Sequence, residues 1–380
     1  MGMNQPLSPE ESNMKRNLVF MVSLLFVPLA IALTGPSSSQ KEDTRKIKTL
    51  SGREITAEVM DEYLKNQMDS LGLSGLSIAV INDAKVVYYR TFGVTNVDTK
   101  EKVTEETLFD AGSMSKTPFA FLVMKMVEQG TLNLDQPLYT YLPNPDIAYD
   151  DRYKLITARM ILCHTSGFPN WRILNKDGKS DIKFTPGTQY LYSGEGFEYL
   201  ANVVAHLKNI PKNGLQNLFE NEVAAPLGMQ YAYYTWNDYV ARHQAAGHVD
   251  GKVAGGWGLS PGKPDFGASY SLQTEAISYS RFLIAMMQEE GLKKETYDKM
   301  LKAQVKTPTD SVYYCLGIMM KPSEFGNEYM HDGYNLNFSS AFMFNKEQKF
   351  GYVFFTNCNK GIDFNKKLER FLTVKDVLRR

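Results

Sequence analysis

The sequence predicts an α/β fold in which strands from both ends of the chain form one antiparallel sheet, flanked by helices, with a mainly helical region inserted between the two parts. Runs rich in β-branched and aromatic residues occur near residues 76–92 and again near 312–356, and turn residues separate them. The intervening residues, about 111–309, carry apolar side chains at helical spacing together with long loops. Strands at both ends with helices between them indicate a single sheet of this kind.

The first helix is predicted over residues 55–73, where apolar side chains recur at the spacing of an amphipathic helix. Leu76–Ile81 and Lys85–Phe92 are predicted to pair as a hairpin across the short turn at residues 82–84. The C-terminal part is predicted to contain three strands and a closing helix, at Val312–Met320, Phe338–Phe344, Phe350–Thr356 and Phe364–Val377.

Residues 1–34 are predicted to be a signal peptide or a membrane anchor. The basic pair Lys15-Arg16 precedes an apolar run over residues 18–33, and Ala30-Ile31-Ala32 resembles a small-residue cleavage site. The apolar run is short for a helix that spans a membrane. We therefore expect an exported protein, periplasmic or secreted, with a membrane-anchored form facing outward as the alternative.

The rest of the chain is predicted to consist of a linker over residues 35–54 and one domain over residues 55–377. Within this domain we expect the sheet region at about 55–110 and 310–377, with the helical region at about 111–309. The chain carries 42 basic and 42 acidic side chains, and no basic patch or charge block points to a nucleic-acid partner. No cluster of histidine, cysteine and acidic residues has metal-ligand spacing, so no metal or cofactor is implied.

The most informative segment for chemistry is Ser113-Met114-Ser115-Lys116, at the start of an apolar helical pattern. Residues three positions apart share one face of a helix, so the Lys116 amine can reach the Ser113 hydroxyl. A serine is a weak nucleophile until a neighbouring base takes its proton, and a lysine acts as that base only when its pKa is lowered. The helix N-terminus adds free N–H groups that suit a developing oxyanion. The pair predicts an acyl-transferring hydrolase.

The Ser-x-x-Lys pattern is not specific by itself, because it occurs five times in the chain. The other four serines stand in polar, loop-like or turn-forming sequence, at Ser12, Ser38, Ser180 and Ser260. Only Ser113 is followed by apolar residues at helical spacing, up to a predicted helix end at Gly130. A helix-capping serine beside a solvated lysine is the alternative for Ser113.

Further segments occur in an order that resembles the penicillin-recognising serine hydrolases, which include class C β-lactamases, D-Ala-D-Ala carboxypeptidases and related esterases. The likeness extends from about Ser74 to Asn357. It rests on Thr107–Lys116, Leu132–Pro137, Ile161–Phe168, Pro186-Gly187 before Tyr192–Gly194, Pro226–Met229 and His331–Gly333. The resemblance implies a β-lactamase/transpeptidase-like fold, with Ser113 as the nucleophile that forms an acyl-enzyme and Lys116 as its base.

The second motif of that family is usually Tyr-x-Asn, whereas here Tyr192-Ser193 is followed by Gly194. The resemblance implies that Tyr192 relays a proton between the serine, the lysine and the leaving group. Gly194 falls at a substrate-binding position but lacks the side-chain amide that would bind a substrate amide. A packing tyrosine is the alternative for Tyr192, because the chain contains 22 tyrosines.

The third motif, Lys-Thr-Gly or His-x-Gly in the family, matches His331-Asp332-Gly333, with Lys349-Phe350-Gly351 as a rival. We expect it on an edge strand facing the serine, with Gly333 where the substrate approaches the backbone. His331 would be a hydrogen-bonding or cationic group that titrates near neutral pH, so acylation by carboxylate-bearing substrates should fall as the pH rises. By analogy with the family, the N–H groups of Ser113 and Tyr334 would form the oxyanion hole.

Several other residues are open to two interpretations. Trp171, Trp236, Trp257 and Tyr270 either line the pocket or belong to the core. His164 invites comparison with the base of a catalytic triad, but the resemblance implies that its role is structural, at a helix end.

These features predict an exported serine hydrolase that cleaves an amide or ester, of β-lactamase, D-Ala-D-Ala carboxypeptidase or esterase type. Gly194 and His331 depart from the class C pattern, which favours a broad peptidase or esterase with weak β-lactamase activity at best. The expected partner is a small-molecule or peptide substrate: a β-lactam, a D-amino peptide or an ester. The oligomeric state does not follow from the sequence. The alternative function is a penicillin-binding sensor that is acylated but does not turn over.

Overall fold

The large antiparallel sheet organises residues 46–374, the part of the chain that the computed structural model describes. The strands in this part are, in chain order, β1 (Lys46–Lys48), β2 (Glu54–Thr56), β3 (Gly75–Asn82), β4 (Lys85–Gly93), β5 (Phe109–Asp110), β6 (Ala232–Tyr233), β7 (His248–Val249), β8 (Lys252–Val253), β9 (Gln273–Thr274), β10 (Val305–Lys306), β11 (Tyr313–Tyr314), β12 (Met319–Ser323), β13 (Gly326–Tyr334), β14 (Ser339–Asn345) and β15 (Phe350–Thr356). The segment predicted as a signal peptide or anchor, residues 1–34, lies outside the described residues.

Eight of these strands form the sheet, in the order β10-β11-β12-β13-β14-β15-β3-β4. Every neighbouring pair is antiparallel, and β3 pairs with β15, so strands from the two ends of the chain lie side by side within the sheet. Strands β3 and β4 form the predicted N-terminal hairpin. The predicted fold class is therefore confirmed: an α/β structure with one antiparallel sheet built from both ends of the chain.

Helices cover both faces of the sheet. In chain order they are α1 (Ala57–Leu71), α2 (Lys116–Glu128), α3 (Ala158–Leu162), α4 (Gly194–Leu207), α5 (Leu215–Phe219), α6 (Asp238–His243), α7 (Ala276–Gln288), α8 (Lys294–Leu301) and α9 (Gly361–Thr373). Side chains alternate between the two faces along each strand. In β3, Ile78 and Val80 therefore pack in one core with residues of α1 and α9, whereas Ala79 and Ile81 join the larger core that contains α2, α4 and α7. The larger core carries the helical region in which the candidate site lies.

The predicted strand at Val312–Met320 is wrong in one respect, because the chain turns in its middle. Residues 313–314 form β11 and β12 begins only at Met319. Gly317 in the turn has φ +82°, and a Cβ atom there would lie 2.1 Å from the Cβ atom of Ala120 in α2. The close approach of the sheet to α2 explains why the strand is interrupted.

The predicted linker is also wrong for its described part. Residues 46–48 and 54–56 pair as β1 and β2, and Ile47 and Leu50 are buried against α1 and α9. The Leu50 N–H donates to the Leu372 carbonyl at 2.8 Å. This segment is therefore an integral part of the fold. None of the described helices is long and apolar enough to cross a membrane.

Candidate active site

Ser113 lies in a short 3₁₀ turn, Gly112–Ser115, that leads directly into α2. Gly112 has φ +51°, a left-handed conformation that glycine adopts without steric cost. The Lys116 Nζ atom lies 3.2 Å from the Ser113 Oγ atom. The turn and the helix thus bring the two residues into hydrogen-bond contact, as their spacing predicts, and α2 ends before Gly130, where a helix end was predicted.

The Lys116 ammonium is almost completely enclosed, with 1% of the residue exposed. Its Nζ atom also donates to the Ser269 carbonyl at 2.8 Å. Burial lowers the pKa of Lys116 to about 7, although Glu198 and Asp332 oppose this effect. A substantial fraction of Lys116 is therefore neutral near pH 7, and a neutral amine can accept the serine proton.

Ser269 is itself held by Glu198 of α4. The Glu198 Oε1 atom accepts from the Ser269 N–H at 3.0 Å and from the Ser269 hydroxyl at 2.7 Å. Its Oε2 atom pairs with Lys212 at 2.7 Å. Ser269 and Glu198 were not predictable from the sequence, because neither belongs to a recognisable motif and they lie 71 positions apart in the chain.

Tyr192 lies beside this pair, just before the start of α4. The Lys116 Nζ atom is 4.7 Å from the centroid of its ring. The Tyr192 hydroxyl is buried and makes no hydrogen bond of standard geometry with a described residue. Burial raises the pKa of Tyr192, and a contact with the Ser113 side chain opposes that rise. The phenol therefore stays protonated and lies next to the nucleophile, where it can relay a proton.

Gly194 is adjacent to the aromatic ring of Trp171. A Cβ atom on Gly194 would lie 2.8 Å from two ring carbons of Trp171 and 3.2 Å from the Asn170 carbonyl oxygen. The Gly194 N–H donates to both the main-chain and the side-chain oxygen of Asn170. The ring of Trp171 thus occupies the space that the side chain of an asparagine at position 194 would enter. This packing is a physical reason for the departure from Tyr-x-Asn.

Burial of His331 contradicts the expectation that it titrates near neutral pH, whereas its assignment to substrate binding stays a prediction. The residue is 3% exposed, and burial and the nearby Lys116 charge lower its pKa to about 3. Its Nδ1 atom lies 2.7 Å from the Asp332 carbonyl, which can only accept, so Nδ1 carries the proton. The Nε2 atom then accepts from the Tyr314 hydroxyl at 2.8 Å. Both ring nitrogens therefore have hydrogen-bond partners within the protein.

His164 also packs behind Tyr192, with 4.3 Å between ring centroids. Its Nδ1 atom accepts from the Ser193 N–H at 3.0 Å. Burial lowers the pKa of His164 well below 6.5, and the nearby charge of Lys116 adds to this effect. His164 and His331 are therefore neutral packing groups around Tyr192, and neither contacts Ser113 through a hydrogen bond.

Gly333 and Tyr334 lie at the end of β13, against the turn that carries Ser113. Strand β12 covers β13 only up to Met330, so His331–Tyr334 form an open edge. A Cβ atom on Gly333 would lie 2.0 Å from the Ala111 carbonyl oxygen. A glycine is therefore required here because the Ala111 backbone lies so close. The sequence had instead predicted that the close approach of the substrate requires it.

The Tyr334 N–H faces this open edge. The next residue, Asn335, donates its N–H to the Phe338 carbonyl, and hydrogen-bonding direction alternates along an antiparallel strand. A Cβ atom on Gly112 would lie 2.8 Å from the Tyr334 nitrogen. The Tyr334 N–H is thus adjacent to the Ser113 turn, on the side of β13 that β12 leaves unpaired.

Asp110 links the turn that carries Ser113 to the end of β13 that carries Tyr334. Its Oδ1 atom accepts from the Gly112 N–H at 2.8 Å and from the Asn335 side-chain amide at 2.7 Å. Burial raises the pKa of Asp110 to about 7, while these hydrogen bonds oppose the rise. Asp110 stands within the Thr107–Lys116 segment, but nothing in the sequence indicated its partner Asn335.

The other described Ser-x-x-Lys pairs do not form comparable contacts. Lys183 donates to Asn175 and Asp181, and the Ser180 hydroxyl is buried without a hydrogen-bond partner among the described residues. Lys263 lies over the Trp257 ring, 5.5 Å from its centroid. Ser12 and Ser38 lie outside the described residues.

An open pocket of about 470 Å³ reaches Tyr334, whose nitrogen lies beside Gly112 of the Ser113 turn. It is lined by Trp171, Leu174, Trp257, Lys263, Tyr270, Tyr334, Asn335 and Leu336. Trp171, Trp257 and Tyr270 are therefore pocket residues. Trp236 instead packs against a small core with Leu108, Val240 and Leu259.

The sheet, the helical region and the buried Ser-x-x-Lys pair define a protein of the serine hydrolase fold shared by β-lactamases and penicillin-binding proteins. The family model named beta-lactamase matches residues 60–375, and the chain belongs to that family. The octameric penicillin-binding protein homologue from Pyrococcus abyssi is similar in structure, with a TM-score of 0.68 and 19% sequence identity over 82% of this chain and 78% of that one. This likeness confirms the fold.

Two curated relatives are similar in sequence. Protein flp of Staphylococcus aureus (strain MRSA252) is 22% identical over 322 residues, which cover 79% of this chain and 62% of flp. The chain thus spans less than two thirds of that relative. PbpX of Bacillus subtilis (strain 168), described as a candidate penicillin-binding protein, is 24% identical over 320 residues, 80% of this chain and 77% of PbpX.

Proposed function

We propose that this protein is an exported serine hydrolase that cleaves an ester or amide through a covalent acyl-enzyme on Ser113. The observation that carries the proposal is the 3.2 Å contact between the Ser113 Oγ atom and the buried Lys116 Nζ atom, whose pKa is lowered to about 7. Export is inferred from the sequence of residues 1–34 alone.

In the proposed reaction, neutral Lys116 accepts the Ser113 proton as Oγ attacks the substrate carbonyl carbon. The N–H groups of Ser113 and Tyr334 stabilise the oxyanion of the tetrahedral intermediate. The C–O or C–N bond to the leaving group then breaks, and the proton passes from Lys116 to that group, with Tyr192 as the relay. Water, activated by Tyr192 or Lys116, releases the acid and restores the serine.

Two features favour an esterase or a broad peptidase over an efficient β-lactamase. Gly194 offers no side-chain amide to a substrate amide. His331 is neutral and bonded within the protein, so it offers no cation to a substrate carboxylate.

The proposal is tested with p-nitrophenyl esters, a chromogenic cephalosporin and a D-Ala-D-Ala peptide, in wild type and Ser113→Ala. We expect the substitution to reduce turnover of every accepted substrate by at least about 10⁴-fold, as loss of a covalent nucleophile does. Ser115→Ala, Ser180→Ala and Ser260→Ala serve as matched controls and should retain turnover.

A fluorophosphonate or penicillin probe should label Ser113, as located by mass spectrometry. Labelling of a different serine would overturn the assignment. Stable labelling of Ser113 by penicillin, together with no turnover of any substrate in the panel, would identify a penicillin-binding sensor and overturn the proposed hydrolase.

A further inference from the structure

One wall of the pocket is formed by the aromatic ring of Trp171. This ring fills the space that the asparagine of a Tyr-x-Asn motif would enter at position 194. Trp171 stands against Gly194, and the ring of Tyr270 meets it edge-on, with 5.7 Å between centroids and an interplanar angle of 81°. Tyr270 directly follows Ser269, whose carbonyl accepts from Lys116. The aromatic pair is therefore adjacent to the catalytic lysine.

Trp171 is held in this place by its chain neighbours. Asn170 accepts two hydrogen bonds from the Gly194 N–H, and the Asn170 carbonyl also accepts from the Glu195 N–H at 3.0 Å. On the other side, Arg172 forms an ion pair with Glu195 and donates from Nε at 2.6 Å. The loop is thus fastened to the start of α4, and the indole forms a preorganised wall.

The rim of the pocket exposes apolar side chains to solvent. The exposed fractions are 69% for Leu174, 41% for Trp257, 43% for Tyr334 and 45% for Leu336. Exposed apolar residues that stand singly need no explanation, but a group of them around one concave site marks a binding surface.

Leu336 is presented at this rim by a strained turn. Its φ is +65°, which is unfavourable for a leucine, and the Asn337 N–H donates to the Asn335 carbonyl across it at 2.8 Å. A bulky residue kept in such a conformation beside a site points to a role for its side chain.

The pocket carries little charge. The described residues that line it include one basic residue, Lys263, and no acidic residue, and the Lys263 Nζ atom lies over the Trp257 ring. The volume of about 470 Å³ is within the range of pockets that enclose small ligands.

We propose that this pocket binds the apolar acyl chain of a neutral ester, with Trp171 as the residue that sets the preference. The inference rests on the proposed function and names its substrate class. Ser113 Oγ forms a bond to the acyl carbon, the bond from that carbon to the alcohol oxygen breaks, and the alcohol leaves with the proton. Water then releases the fatty acid. The acyl chain lies against Trp171 and Tyr270 and extends toward Leu336.

The test uses p-nitrophenyl acetate, butyrate, hexanoate and octanoate, which share one leaving group. In wild type, kcat/KM should rise about three- to fourfold for each added CH₂ group until the pocket is filled. Trp171→Ala should flatten this dependence. Trp236→Ala is the matched control, because Trp236 lies outside the pocket, and it should keep the wild-type slope.

Leu336→Gly provides a second variant. Glycine accepts the positive φ, so the turn should persist and the melting temperature should not fall, while the octanoate-to-acetate ratio of kcat/KM should drop several-fold. This variant keeps the inference testable if Trp171→Ala does not fold.

Gly194→Asn tests whether Trp171 and a side chain at 194 compete for one space. Alone it should destabilise the protein, because its Cβ atom would contact the indole ring, and Trp171→Ala should relieve that loss in the double variant. Additive effects would contradict the competition.

Equal kcat/KM for all four esters, with Ser113 still labelled, would overturn the acyl-chain inference and leave the proposed function intact. An unchanged slope in both Trp171→Ala and Leu336→Gly would also overturn it. Absence of ester hydrolysis and of Ser113 labelling would instead overturn the proposed function.

Discussion

At the scale of a single residue, the environment of Lys116 decides whether its amine can act as a base. Its side chain is buried between Ser113, Ser269 and the ring of Tyr192, and this burial lowers its pKa to about 7. A solvent-exposed lysine amine would be protonated at neutral pH and could not act as a base. His331, which sequence analysis assigned to the pH response, is neutral throughout the working range because its pKa is lowered to about 3.

We predict that kcat/KM falls as the pH drops through about 7, since the base is active only when deprotonated and protonation removes it. Neutral and carboxylate-bearing esters should show the same acid limb. The measurement is a pair of pH profiles, with His331→Gln as control. A limb near pH 6.5 that disappears in the control would return the pH response to His331.

At the scale of a secondary structure element, the end of β13 shapes the candidate active site. The Gly333 Cα approaches the Ala111 carbonyl so closely that a Cβ atom would lie 2.0 Å from that oxygen and 2.5 Å from the Ser340 Oγ atom. The Ser340 hydroxyl already donates to the same carbonyl at 2.8 Å. The short distance between β13 and the Ser113 turn is therefore possible only because Gly333 has no side chain.

We predict that Gly333→Ala reduces kcat by about 10²-fold, because it separates the Tyr334 N–H from Ser113 and so removes one oxyanion donor. Overpacking should also lower the free energy of unfolding by about 1–3 kcal/mol. Gly262→Ala is the matched control, since a Cβ atom there meets nothing within 4 Å. Equal activity in the two variants would contradict this account of the oxyanion hole.

At the scale of the whole molecule, the two ends of the described chain pack against each other. Ile47 pairs with Ile55 between β1 and β2, and both side chains are buried in the core that α1 and α9 share. The Arg53 guanidinium donates to the Phe371 carbonyl at 2.7 Å and lies over the Phe371 ring. The residues before α1 thus close this face of the sheet.

We predict that Ile47→Ala lowers the free energy of unfolding by about 2–5 kcal/mol, as expected for truncation of a fully buried isoleucine. Chemical denaturation followed by circular dichroism measures the change. Val59→Ala, at a position 44% exposed on α1, should change stability by less than about 0.5 kcal/mol. A similar small effect of Ile47→Ala would mean that residues 46–56 are dispensable for the fold.

The sequence by itself determined the features that depend on neighbours along the chain. Runs of β-branched and aromatic residues between turns predicted β3, β4, β14 and β15 within a few residues, and apolar residues at helical spacing predicted α1. The contact between Ser113 and Lys116 was also predictable, since one helical turn joins them. The order of the motifs then indicated the family.

The tertiary structure decided the features that depend on residues far apart in sequence. The pKa of Lys116 and the neutral state of His331 follow from burial, which no local pattern reports. Trp171 excludes a side chain at position 194, and Asp110 binds Asn335, only because distant loops pack together. Residues 46–54 are ordered by α9, at the opposite end of the domain. Long-range packing sets the charge, shape and polarity of the candidate site.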